Sequence, residues 1–95
     1  MAAYLIADID VHDAATFDRY RAAVPPFIAK HGGEYLVRGG TIEVAEGNWN
    51  PKRCVMIRFP DRAAARAFLD DPDYKPVAEL RFRSANTNLI IADGL

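Results

Sequence analysis

The sequence predicts an α+β domain, a four-stranded antiparallel sheet in the order βαββαβ with helices on one face. Three observations carry that expectation. Residues 3–11 alternate, with Leu5, Ala7, Ile9 and Val11 on one side and Tyr4, Ile6, Asp8 and Asp10 on the other, the period-two pattern of a strand with one core face. Two stretches with helical spacing follow strand-like runs, one through Phe17, Tyr20, Val24, Phe27 and Ile28, the other through Ala64, Ala65, Phe68 and Leu69. Between these two strand–helix units lies one strong reversal, Gly47-Asn48-Trp49-Asn50-Pro51-Lys52. Right-handed crossovers then place the strands in the order 4-1-3-2.

Each element has local reasons. Asp13 is placed to cap the first helix, its carboxylate accepting from free N–H groups of the first turn. Pro25 and Pro26 interrupt that helix, because each lacks a donor and crowds the carbonyl four residues back. The apolar stripe keeps its phase across them to His31, so a kink or two short helices end to end is expected. Carbonyls near Arg21 and Ala22 would then lose their partners. Gly32-Gly33 stops the helix. Residues 34–46 read as one long strand bent or bulged at Gly39-Gly40, since a hairpin there would leave the next strand pointing the wrong way. Residues 53–59 form strand three. Asp61 caps the next helix, Asp70-Asp71-Pro72-Asp73 breaks it, and Pro76 opens a further short helix with Val77, Leu80 and Ser84 turned inward. Residues 87–93 form strand four.

Composition narrows the function classes. Ninety-five residues make one small domain, 1–95. Twelve basic and thirteen acidic residues leave a net charge of -1, so no electrostatic field favours nucleic acid or an anionic membrane. No run approaches the roughly 20 apolar residues of a membrane helix. The start of the chain has no basic region, and its apolar run is broken by Asp8 and Asp10, unlike a signal peptide. One cysteine, Cys54, excludes an internal disulfide and suits a reducing compartment, so a cytoplasmic location is expected. Two histidines without a carboxylate or thiol cluster give no metal-ligand spacing.

The segments YLIADIDVHDAATFDRYRAAVPPFIAKHGGEYLVRGG, EVAEGNW and FPDRAAARAFLDDPDYKPVAELR, taken together, resemble the domain-of-unknown-function family 1330. The resemblance runs from Tyr4 to Ala92. It implies the ferredoxin-like plan and membership of the dimeric α/β-barrel superfamily. It also implies polar motif positions at Tyr20, Arg38, Glu46, Tyr74 and Arg81, with departures at Asp71, Phe68 and Arg58. Superfamily relatives include cofactor-free monooxygenases and lactone isomerases, and others that use the barrel as a sensor. No cofactor is expected here; haem, which some relatives bind, ranks well below that reading.

Two function classes stay open. In the first, the chain is a cofactor-free, monooxygenase- or isomerase-like enzyme with a pocket between sheet and helices. Tyr20, Arg38 and Glu46 are the catalytic candidates, and Tyr74, Arg81 and Trp49 the ligand-binding ones. Arg38 suits an anion because its planar fork can bind a carboxylate or enolate in two places. Tyr20 or Glu46 would move protons. In the second class the chain is a non-catalytic small-ligand-binding or stress-related dimer, in which Tyr20 is a core tyrosine and Arg38 and Glu46 form an ion pair stiffening the strand bend. The homodimer is common to both. Tyr4, Ile6, Leu36, Ile42, Val44, Met56 and Ile90 would share the sheet's open face, too much apolar surface for a monomer to leave wet. Trp49, at a turn tip, suits a contact with a partner or a lid over the pocket.

Overall fold

In the computed structural model, which describes residues 1–95, the chain forms β1 (Ala3–Val11), α1 (Ala14–Ala23), α2 (Pro25–Lys30), β2 (Glu34–Arg38), β3 (Cys54–Phe59), α3 (Arg62–Asp70), α4 (Lys75–Ser84) and β4 (Ala85–Asp93). The sheet runs β2-β3-β1-β4, all neighbours antiparallel, which is the expected 4-1-3-2 order. The fold is ferredoxin-like.

The alternation of β1 decides its two environments. Leu5, Ala7 and Ile9 are buried beneath the helices, facing Phe17, Val24, Ile28 and Phe68. The rows Ile6–Met56 and Ile6–Ile90 lie on the opposite side, which no helix covers. Leu36, Val44, Trp49 and Ile90 are exposed there or on the loop beside it. Cys54 shares this face opposite Asp8 and is half-buried, less enclosed than a core cysteine.

The helix breaks follow the prolines. Asp13 caps α1 through Thr16 N at 3.2 Å, and Asp61 caps α3 through Ala64 N at 2.8 Å. The first helix ends at Ala23; Val24 N still reaches the Tyr20 carbonyl at 3.0 Å, and Pro25 then opens α2 as its first residue. This placement suits proline, whose missing donor is an orphan at that position anyway. After α2 the chain passes through Gly32 at φ +77°, a left-handed turn that glycine makes without strain.

Strand two corrects the expectation of one bent strand over 34–46. It stops at Arg38, and residues 39–53 form neither a continuation nor a hairpin. The reason is a missing partner. Gly39 N donates to the Cys54 carbonyl at 2.8 Å, the last rung available at the start of β3. Gly39 then turns out of the sheet at φ +72°. The loop is tied back where Lys52 N donates to Asp8 Oδ1 at 3.0 Å. The bulge does exist, but it lies at Leu36: Tyr35 pairs with Ile57, Val37 with Met56 and Arg38 with Val55.

Candidate functional site

Between the sheet and the helices lies a cavity of about 40 Å³, with an apolar floor and polar groups from six separate segments. Tyr20 from α1, Arg38 from β2, Tyr74 from the turn before α4, and Arg81 from α4 all line it, joined by Arg21 and Arg53. Four of the six residues singled out from sequence are thus brought together. Glu46 and Trp49 are not. Both sit exposed on the 39–53 loop, where they border a surface depression with Val37, Ile42 and Val44. They are carried away because the chain leaves the sheet at Gly39.

The centre of the cavity is a pair of phenols. Tyr20 and Tyr74 hydroxyls are 2.9 Å apart. Tyr20 follows Phe17 on the inner stripe of α1. Tyr74 is fixed by stacking on Phe68, with ring centroids 4.4 Å apart, and by Phe27 at 6.0 Å. Burial pushes the Tyr20 phenol far above its ordinary value; Tyr74 adds to this and Arg81 opposes it. Tyr20 therefore keeps its proton, and either hydroxyl of the pair can be the donor to the other.

Arg81 lies against this pair. It is buried, its guanidinium carbon 5.7 Å from the Tyr20 ring centroid and 4.9 Å from that of Phe82. Burial works against its charge, but the two tyrosine oxygens outweigh that, and its pKa lies above the usual arginine value. No carboxylate comes within ion-pair distance of it. A buried guanidinium without a carboxylate partner is uncommon, since buried charges are normally paired.

The Leu36 bulge delivers Arg38. In an unbroken strand, residue 38 would face the side opposite Tyr35; one extra residue returns it to Tyr35's side. Its guanidinium stacks 4.7 Å over the Tyr35 ring, and Nη2 donates to the Arg21 carbonyl at 3.1 Å. That carbonyl is the one Pro25 leaves without its helical partner. The sequence's alternative role for Arg38, an ion pair with Glu46, does not form: neither residue belongs to an ion pair.

Arg53 and Thr87 escaped the sequence reading. Arg53 rests on the Phe17 ring at 5.4 Å, and its Nε is buried without a protein acceptor. Thr87 Oγ1 is likewise buried and unpaired beside the cavity. The available signal was alternation: Arg53 shares its face with Val55 and Ile57, and Thr87 shares its face with Leu89 and Ile91. A polar residue in a core-facing register is a candidate for function or for a special partner.

A second polar cluster holds the helices above the cavity. Asp71 Oδ2 accepts from Lys30 Nζ and lies against His31 Nε2, each at 2.8 Å, and Asp73 N donates to Oδ1 at 2.9 Å. These bonds, Lys30 first, hold the Asp71 carboxyl well below its ordinary 3.8. They tie α2 to the α3–α4 turn and so fix Tyr74. No group of three or more His, Cys, Asp or Glu side chains is gathered as a metal site.

A family model described as "Domain of unknown function (DUF1330)" matches residues 2–95. No curated protein matches the sequence. Among solved structures, a protein of unknown function from Rhodopseudomonas palustris is similar at 17% identity and TM-score 0.80, over 99% of this chain and 82% of that one. SnoaB, a cofactor-independent oxygenase from Streptomyces nogalater, is similar at 18% identity and TM-score 0.67, over 99% of this chain and 93% of that one. A dimeric ferredoxin-like protein of unknown function from Jannaschia sp. CCS1 is similar at 13% identity and TM-score 0.68, over 99% of this chain and all of that one. At these identities the likeness is one of fold.

Proposed function

The chain belongs to the DUF1330 family, and from that premise we propose that it is a cofactor-free enzyme acting on a small molecule in the cavity between sheet and helices, by monooxygenase- or isomerase-like chemistry. One observation carries the reading: a hydroxyl pair, half-buried Tyr20 and buried Tyr74, beside a buried arginine with no carboxylate partner, in a cavity with an apolar floor. Chemistry of this kind passes through an enolate or phenolate. Tyr20 would donate a hydrogen bond to the oxygen on which charge develops, and Arg81 would stabilise that charge where little water competes. The likeness to a cofactor-independent oxygenase supports the same class.

The cavity sets conditions on a substrate. About 40 Å³ accommodates a few waters at ~10–15 Å³ each, so an organic ligand enters only if the cavity widens. No carboxylate or histidine lines the cavity to accept a proton. The substrate would therefore arrive as an anion or lose its proton to water. That missing base is also what favours the second reading, a non-catalytic ligand-binding dimer.

We further propose that the working unit is a homodimer with the open sheet faces together, burying ~1,500 Å² or more. The similarity to a dimeric ferredoxin-like protein supports this. No helix is long and apolar enough to cross a membrane, and the single Cys54 suits a cytoplasmic setting.

The test is oxygen uptake and product formation with enolisable 1,3-diones and acidic phenols. Turnover of a member by the wild type should fall about 100-fold in Tyr20→Phe, with the melting temperature lowered only by the cost of leaving the Tyr74 hydroxyl without its partner. Members that bind and are never converted would point to the non-catalytic reading instead.

A further inference from the structure

Three guanidinium groups meet at the rim of the cavity. Arg21 reaches it from α1, Arg38 from the end of β2, and Arg53 from the last loop residue before β3. The balancing charge is slight. Asp18 sits 3.6 Å from Arg21, and both are well exposed; Arg38 and Arg53 have no ion-pair partner. Like charges so close repel, and the contacts that hold them, Arg38 on the Arg21 carbonyl and the Tyr35 ring and Arg53 on the Phe17 ring, neutralise none of the charge.

Arg53 is the most constrained of the three. Its guanidinium is held between the Phe17 ring and the backbone at Gly39. A side chain at residue 39 would come within 2.7 Å of the guanidinium carbon. Its Nε has no acceptor in the protein although it is shut off from solvent. Burial, then Arg21 and Arg38, hold its pKa below the usual arginine value. A negatively charged acceptor placed between Arg38 and Arg53 would give the orphaned Nε a partner and offset the like-charge repulsion.

We infer that Arg53 and Arg38 together form an oxyanion-binding rim, and that the ligand is a planar organic anion, a carboxylate or an enolate, whose apolar body points into the cavity. The inference rests on reading this cavity as the ligand site, and deepens it by naming the charge the ligand carries and the residue that selects it. Guanidinium forks suit planar oxyanions because two parallel N–H donors match two oxygens or the two lone-pair lobes of one. The apolar floor beneath would meet a ring or short chain once the cavity has widened to admit it.

The experiment measures thermal shift and calorimetric affinity on the whole chain. The probes are benzoate for a carboxylate and 1,3-cyclohexanedione for an enolate, with neutral benzamide and inorganic phosphate as comparisons. The expected result is stabilisation by benzoate, by the dione or by both, and little effect of benzamide or phosphate. Whichever of the two anions stabilises identifies the ligand's source. Arg53→Met should weaken that anion about tenfold or more, the loss expected for a charge-assisted hydrogen bond. The same change should raise the melting temperature of the unliganded protein, because it removes an unpaired donor and two like-charge contacts. A purely structural arginine would do the opposite. Arg83→Met, on an exposed helix position, should change neither quantity. A second readout needs no variant: in a ¹H–¹⁵N spectrum of the wild type, the Arg53 Nε–Hε signal should move with the anion and not with benzamide. Anion binding unchanged in Arg53→Met, or phosphate as effective as the organic anions, would overturn the inference. Either result leaves turnover through Tyr20 standing, and loss of that turnover leaves the anion rim standing, so the two failures are distinguishable.

Discussion

The two faces of the sheet are built from the same strands and meet opposite fates. Beneath the helices, Leu5, Ala7 and Ile9 are sealed, and the Phe68 ring packs against those of both Phe59 and Tyr74. On the other face, Ile6, Met56 and Ile90 form an equally apolar row, yet Ile90 is 59% exposed and Trp49 on the adjoining loop 69%. The difference is one of supply. Two strand–helix units provide helices for one side only, because right-handed crossovers in this order put both helical layers on the same face. The closed face draws its stability from within the chain; no helix of the chain covers the open one. The arginines sharpen the contrast, since the closed face also holds guanidinium groups that the chain itself leaves unpaired.

Breaking the closed face should have the largest effect. Phe68→Ala removes the ring on which Tyr74 and Phe59 stack and leaves a cavity that the sheet is too rigid to fill. The expected cost is ~3–5 kcal/mol in denaturant unfolding, the same at any protein concentration. It should also loosen the Tyr20–Tyr74 hydroxyl contact. A loss under about 1 kcal/mol would mean that the core repacks easily and that Tyr74 has other support.

Breaking the open face should cost less and depend on concentration. Ile90→Asp places a carboxylate in the middle of the apolar row without disturbing the helices. Sedimentation should show the wild type as a dimer at micromolar concentration. The variant should dissociate with a constant raised about 100-fold, or ~2.7 kcal/mol, while its monomer stays folded. A wild type that runs as a soluble, folded monomer would end the argument that this face is covered.

The smallest effect belongs to the helix tie above the cavity, and it carries a pH signature. The folded pKa of Asp71 lies below the ordinary 3.8. Its stabilisation is therefore fully present above that value and is lost as the pH falls through the range beneath it. Asp71→Asn should melt a few degrees below the wild type at neutral pH, and the gap should close below about pH 3.8. A gap independent of pH would assign the effect to shape, not charge.

What the sequence determined by itself was whatever depends on near neighbours. The limits of β1, the caps at Asp13 and Asp61 and the break at Pro25 follow from alternation, donor counts and turn chemistry within a few residues, and the strand order follows from these elements once the crossovers are right-handed. The freed Arg21 carbonyl was legible as well; the group that satisfies it, Arg38, was not. Only the tertiary structure decided three things. The bulge sits at Leu36, and because strand side chains have a period of two, that single extra residue determines whether Arg38 faces the cavity or solvent. The hydroxyls of Tyr20 and Tyr74 meet across 54 residues of chain, which required the sheet order and the Asp71 tie together. Residues 40–46 are strand-like in sequence yet unpaired. Extended backbone becomes a strand only where another strand supplies its hydrogen bonds, and beyond Gly39 this chain has none to offer.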